Sequence, residues 1–219
     1  MRGTTAFALF AGLALTAAAL AGCGRDNPAE PATYALSGRV QLVGRLTAAN
    51  GQPAGSRLVD DADGVPVDLL LGNRIVAKTH TVDGVYRFTG VAPGGYYVRA
   101  NYEGAFGVLS DGLTVASRDV VAAAAIVMNA AGDLYPAPNP VDSTCAITFT
   151  SDTARGVDVR VIALDGTVVR HLLVASEESP GLFLTVWDGK DAYGAVPAPG
   201  AYWMRYTLGA DERAQLLFR

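Results

Sequence analysis

From Tyr34 onward the chain carries no amphipathic helix of useful length. Short runs of alternating apolar and polar residues follow one another, and Gly, Pro, Asp and Asn cluster between them. Successive side chains of a strand point to opposite faces, so each such run has one apolar face to bury. Burying it requires a second layer, and strands at this spacing predict an all-β chain of sandwich type. The segment most open to a helical reading is "DVVAAAAIVMN" (119–129), yet β-branched residues stand near both of its ends.

Two small domains fit within 219 residues. The formal net charge is −4, and the basic residues are scattered singly. Nucleic acid is therefore not expected as a partner, because its phosphates call for clustered Lys and Arg. The same scatter leaves no basic patch for a membrane surface.

The N-terminus has a different character. "AFALFAGLALTAAAL" (6–20) is a charge-free apolar run, shorter than the roughly 20 residues needed to span a bilayer. With Arg2 before it and small residues after it, the run has the build of a signal-peptide core. It leads directly into "LAGC", Leu20 to Cys23, which resembles the lipobox of bacterial lipoproteins. That resemblance implies a cleaved signal peptide over 1–22. It also implies a mature Cys23 carrying diacylglycerol and an N-acyl chain such as palmitate, the only non-protein groups expected. Two or more chains anchor a protein durably, so the implied partner is a membrane of the bacterial cell envelope. Gly24 rather than Asp follows the cysteine, which within this resemblance points to the outer membrane, on its periplasmic or surface face. Residues 23–33 then read as a lipidated, Pro-containing tether.

Residues 34–130 form the first predicted sandwich. "SGRV", "GVPVDLLL" and the run "THTVDGVYRFTGVAPGGYYV" (79–98) resemble the carboxypeptidase regulatory-like, or transthyretin-like, domain. Residues 131–219 form the second. "YPAPNP", "ALDGTVVR", "WDGKDAYGAVPAPGAY" and a closing strand resemble the FlgD-like immunoglobulin domain and the sorting domains of type IX secretion. Both resemblances imply small sandwiches without catalysis of their own. Asp83–Gly84 and Asp165–Gly166 carry hairpin-turn chemistry, and Cys145, Ile147 and Phe149 share one strand face.

Few residues invite a chemical role. In "VDDADGVPVD", Asp60, Asp61, Asp63 and Asp68 read as the acids of a solvated turn before a strand; the alternative is a weak calcium site at Asp60, Asp61 and Asp63, although the rest of a calcium-loop pattern is missing. Trp187, Tyr193 and Trp203 alternate away from the residues assigned to the core, as does Tyr97. They read as aromatics packed over edges and module junctions, with stacking on a sugar as the alternative. His80 and His171 fall in different modules, so no zinc pair is expected. Cys145 reads as a small buried hydrophobe. The expectation is a non-catalytic envelope protein serving in adhesion, scaffolding or recognition of protein or carbohydrate. The alternatives are a type IX secretion substrate whose C-terminal domain is a sorting signal, and an accessory carbohydrate-binding protein.

Overall fold

A computed structural model describes residues 31–102, 106–129, 135–152 and 154–219. Cys23 and the rest of the signal and tether through residue 30 lie outside the described residues. All regular structure among the described residues is strand. The first half holds β1 (Tyr34–Thr47), β2 (Pro53–Val59), β3 (Pro66–Leu71), β4 (Arg74–His80), β5 (Val85–Val91), β6 (Gly94–Tyr102), β7 (Phe106–Leu109), β8 (Leu113–Val115), β9 (Val120–Val121) and β10 (Ile126–Asn129). The second half holds β11 (Tyr135–Ala137), β12 (Cys145–Ser151), β13 (Arg155–Ala163), β14 (Val168–Glu178), β15 (Gly181–Trp187), β16 (Ala201–Leu208) and β17 (Asp211–Phe218). The chain is an all-β sandwich protein, and 119–129 forms strand pairs rather than a helix.

The first half packs two sheets. In one, the 14-residue β1 is the spine: its first part pairs with β5 and β9, its second with β2 and β10. The other runs β4-β3-β6-β7, with β8 beside the start of β6. Leu36, Val40 and Leu42 alternate along β1 and face Val67, Leu69, Tyr86 and Val98 in one core. The Asp83–Gly84 turn behaves as its residues require, with φ of 50° and 71°. A side chain at Gly84 would also strike the main-chain oxygen of Asp60, which closes the acidic loop over this hairpin.

The second half sets the sheet β11-β12-β15 against β14-β13-β16-β17. Cys145, Ile147 and Phe149 face Val157, Val159, Val161, Trp187 and Met204 in a second core. Asp165 Oδ1 accepts from the Thr167 amide in the tight turn between β13 and β14.

The two sandwiches are not beads on a string: Ala32–Arg219 is one compact unit. Across β13, β16 and β17, the cross-strand row Ile162–Trp203–Leu216 faces the first core, together with Ala214 and Phe218. The next row, Ala163–Tyr202–Leu217, faces the second. One sheet is thus buried on both sides, which is why "AYWM" and "AQLLF" are apolar without alternation. Gly44 makes this contact possible. A Cβ there would lie 2.5 Å from the Phe218 ring, so only glycine lets β1 cross so close to β17.

Asn139 pins the same junction. Its Nδ2 donates to the carbonyls of Arg45 (2.7 Å) and Leu216 (2.9 Å), and its Oδ1 accepts from the Phe218 amide (2.8 Å). Its main chain exchanges two further bonds with Thr47. Truncating Asn139 removes all three of these bonds, two of them to buried main-chain groups, and a buried group left unsatisfied costs about 1–3 kcal/mol. Asn139→Ala is therefore expected to lower stability by about 3 kcal/mol or more, read as a reduced urea midpoint. A fragment ending at residue 130 lacks Ile162, Trp203, Leu216 and Phe218. It is expected to show no cooperative thermal transition, whereas the whole chain unfolds in one; a fragment with a sharp transition would show that the first sandwich closes its core alone.

Candidate functional site

The aromatic candidates are not brought together. Trp187 and Trp203 are fully buried, so neither can stack on a ligand; this corrects the reading of both as surface residues. Trp187 lies opposite Cys145 and donates its Nε1 hydrogen to the Lys190 carbonyl at 2.8 Å. Trp203 is the centre of the row shared between the two cores. Tyr193 is 95% exposed, alone at the tip of the loop before β16. The acids of that loop serve its turns: Asp188 Oδ1 accepts from the Lys190 amide, and Asp191 Oδ1 from those of Tyr193 and Ala195.

The acidic loop at 60–63 is likewise structural. Asp63 Oδ1 accepts from the Asp83 amide, and the Asp60 carbonyl accepts from Arg39 Nη2. Thr81 Oγ1 ties the loop's base by donating to the Ala62 carbonyl at 2.6 Å. Among the described residues no three His, Cys, Asp or Glu side chains are grouped to hold a metal. Asp60, Asp61 and Asp63 are thus not grouped as the calcium cage considered for them, and the Asp63 carboxylate instead holds the loop over the β4–β5 connection. An open cleft of about 490 Å³ lies between this loop and the second sandwich, bordered by Asp61, Asp63, Asp165 and Tyr202. Tyr202 donates its hydroxyl to the Ala198 carbonyl, so the cleft is a seam without a free buried polar group.

Cys145 is sealed in the second core, where burial pushes its thiol up to about 12. Nucleophilic thiols need the thiolate, so this one is inert. His171 stands exposed on β14, and His80 lies on β4 in the other sandwich.

The polar feature that needs explaining is elsewhere. On β3, Val67 and Leu69 face the core while Asp68 and Leu70 point to the outer face, yet Asp68 is only 5% exposed. Register places Asp68 between Lys78 of β4 and Arg99 of β6. Asp68 Oδ2 accepts from Arg99 Nη2 at 2.8 Å and from Asn101 Nδ2 at 2.6 Å. Asn101, 3% exposed, also donates to the Arg99 carbonyl. Above them opens a pocket of about 230 Å³ lined by Asp68, Asn101, Lys78, Thr79, His80 and Pro66. Tyr97, 41% exposed, stands on the same face of β6 as Arg99 and Asn101. Sequence reasoning set Asp68 among solvated acids and passed over Arg99 and Asn101. The signal available was an acid inside "VPVDLLL" and the alternation Tyr97, Arg99, Asn101 in "YVRAN".

No family model matches the chain, and no curated protein matches it. Three solved structures are similar in part. One is a DUF3823 family protein from Parabacteroides merdae ATCC 43184, at 15% identity over 86% of this chain and 99% of that one, with a TM-score of 0.34. Another is a protein of Bacteroides uniformis ATCC 8492 provisionally named a carbohydrate binding protein, at 12% identity over 85% and 99%, with a TM-score of 0.36. The third is dimeric latent PorU from Porphyromonas gingivalis, at 16% identity and a TM-score of 0.31; the match covers 74% of this chain and 17% of that one.

The placement of the aromatics sets a contrast. Trp203→Ala is expected to cost about 3–5 kcal/mol in urea unfolding, whereas Tyr193→Ala stays within about 0.5 kcal/mol. The alkaline limb of stability follows from Tyr86 and Cys145, whose ordinary values of 10.0 and 9.0 are both raised to about 12 by burial. The unfolded chain ionises first, so their contribution is complete below about pH 9 and is lost as pH climbs toward about 12. Urea midpoints measured across that range should fall, and Cys145→Ala should flatten the lower part of the decline.

Proposed function

We propose that this chain is a non-catalytic, lipid-anchored protein of the bacterial envelope, serving as a rigid recognition or scaffold module. The observation that carries the reading is the core shared by the two sandwiches. A surface borne by β3, β4 and β6 keeps a fixed orientation relative to the second sandwich, because Gly44, Asn139 and Phe218 lock the junction. Such a body, tethered through residues 23–33 to acyl chains on Cys23, presents its faces to partners. In this reading the first sandwich is a transthyretin-like module and the second a FlgD-like immunoglobulin module.

Support for a non-catalytic role comes from side-chain placement. The Cys145 thiol is sealed in the core, and His80 and His171 stand on separate sandwiches. Carbohydrate recognition is favoured as the second reading by the polar pocket at Asp68.

The anchor is tested by labelling cells with palmitate. Label should enter the wild-type chain and not Cys23→Ser, and the variant should leave the membrane fraction. Label in the variant would remove the anchor from the proposal. Recognition is tested by crosslinking in intact cells: a defined set of envelope components should be captured by the wild type and lost from Asn139→Ala, whose junction is loosened.

A further inference from the structure

We propose that the free edge of β15 is a self-association surface, through which two copies of this chain pair antiparallel across a two-fold axis. The proposal goes beyond the recognition reading and does not depend on the lipid anchor. β15 ends the sheet β11-β12-β15 and pairs with β12 alone. The N–H and C=O groups on its far side form an open ladder, which is a template for a further strand. Edge strands are ordinarily blunted by charge, proline or bulges. β2 carries Pro53 and Arg57, with a register shift against β1. β4 carries Arg74 and Lys78, with a shift against β3. β14 carries Arg170 and meets β13 through three shifts. β15 has none of these devices: "GLFLTVW" holds no charge and no proline, and all seven residues pair with β12 in unbroken register.

The outer face of the strand leads to the same place. Leu182, Leu184 and Val186 are 73%, 66% and 53% exposed, and the residues opposite them on β12 are Thr150, Thr148 and Ala146. This row is apolar and free of charge along its whole length. A continuous apolar row beside an open ladder is unfavourable in water and marks a surface that meets another protein.

A second copy is the occupant this strand fits. A two-fold axis normal to the sheet keeps each outer face outward, so residues that pair across it share a face. Leu184 is the midpoint of both the seven-residue strand and the apolar row. Centring the axis there sets Leu184 opposite Leu184 of the second copy and Leu182 opposite its Val186, while all seven positions pair. Like charges set opposite one another would oppose self-pairing, and this strand has none. A charged foreign strand would find no countercharge on 181–187. The product is a six-stranded sheet that ends on both sides in the three-residue β11, so assembly closes at two copies. Seven residues a side fall well below the roughly 20–30 of a standard stable interface. The dimer is therefore weak and reversible.

The test uses the full chain in a Cys23→Ser background, where the remaining thiol, Cys145, is buried. Single cysteines are introduced at exposed positions and treated with a two-carbon bifunctional thiol reagent. Leu184→Cys is expected to form covalent dimer about tenfold or more faster than the exposed control Tyr193→Cys, because paired thiols react at high effective concentration. Leu182→Cys and Val186→Cys should each stay monomeric alone, since like positions lie about 13 Å apart at about 3.3 Å per residue. Mixed together, those two variants should crosslink. Sedimentation velocity should show a concentration-dependent dimer that Leu184→Lys abolishes without moving the urea midpoint. A chain that stays monomeric at submillimolar concentration, or equal crosslinking at all four positions, overturns the proposal. So does a purified chain that stays monomeric while Leu184→Cys crosslinks to a different protein in intact cells, which would assign the edge to a foreign strand. Palmitate labelling of the wild type is a separate readout, so failure of the anchor leaves the dimer test intact.

Discussion

Asn139 is the group on which the junction of the two sandwiches turns. A strand crossing over another sheet presents backbone carbonyls and amides to a dry interface, where an unpaired group is costly. A side-chain amide carries both donors and an acceptor, and here it serves two carbonyls and an amide drawn from β1 and β17. With those groups satisfied, Phe218 can settle over Gly44, and Arg57 can lie 5.0 Å above the Phe218 ring. The apolar row on the outer side of β13, β16 and β17 then becomes part of the first core instead of a wet surface. Shape complementarity and polar satisfaction are inseparable at this contact.

Much of the fold was legible because it rests on local rules. Period-two alternation identified the buried face of β12. The Asp83–Gly84 and Asp165–Gly166 turns adopt the conformations their residues favour. Cys145 proved to be an inert core residue for the reason its neighbours suggested. What alternation could not reveal is a sheet with two dry faces. Reading Trp203 as exposed assumed that the side opposite Tyr202 met water, and it meets the other sandwich. Asn139, flanked by prolines, does not stand out in the sequence because its partners lie 77–94 positions away.

The candidate site was hidden by the same non-locality. Asp68 looks like one more acid at the end of an acidic loop, and only strand pairing places Arg99 and Asn101 beside it. Of the acids that attracted attention in sequence, Asp60, Asp61 and Asp63, the last shapes a loop through its carboxylate. Conspicuous acids here build turns, and the buried one sits quietly within a strand. That division follows from chemistry: short carboxylates cap turn amides well, while a carboxylate buried in a sheet face must find donors on neighbouring strands.

The position of β17 has a consequence for when this protein can fold. β1 is made early in synthesis, but the apolar surface that closes its core comes from residues 203–218. Until those residues are joined to the chain, Leu42, Gly44 and Leu46 lack the surface that covers them. Contacts of such wide sequence separation slow folding and keep apolar strands exposed while it proceeds. The first core is therefore complete only when β16 and β17 have been made, so the two halves of the fold close together.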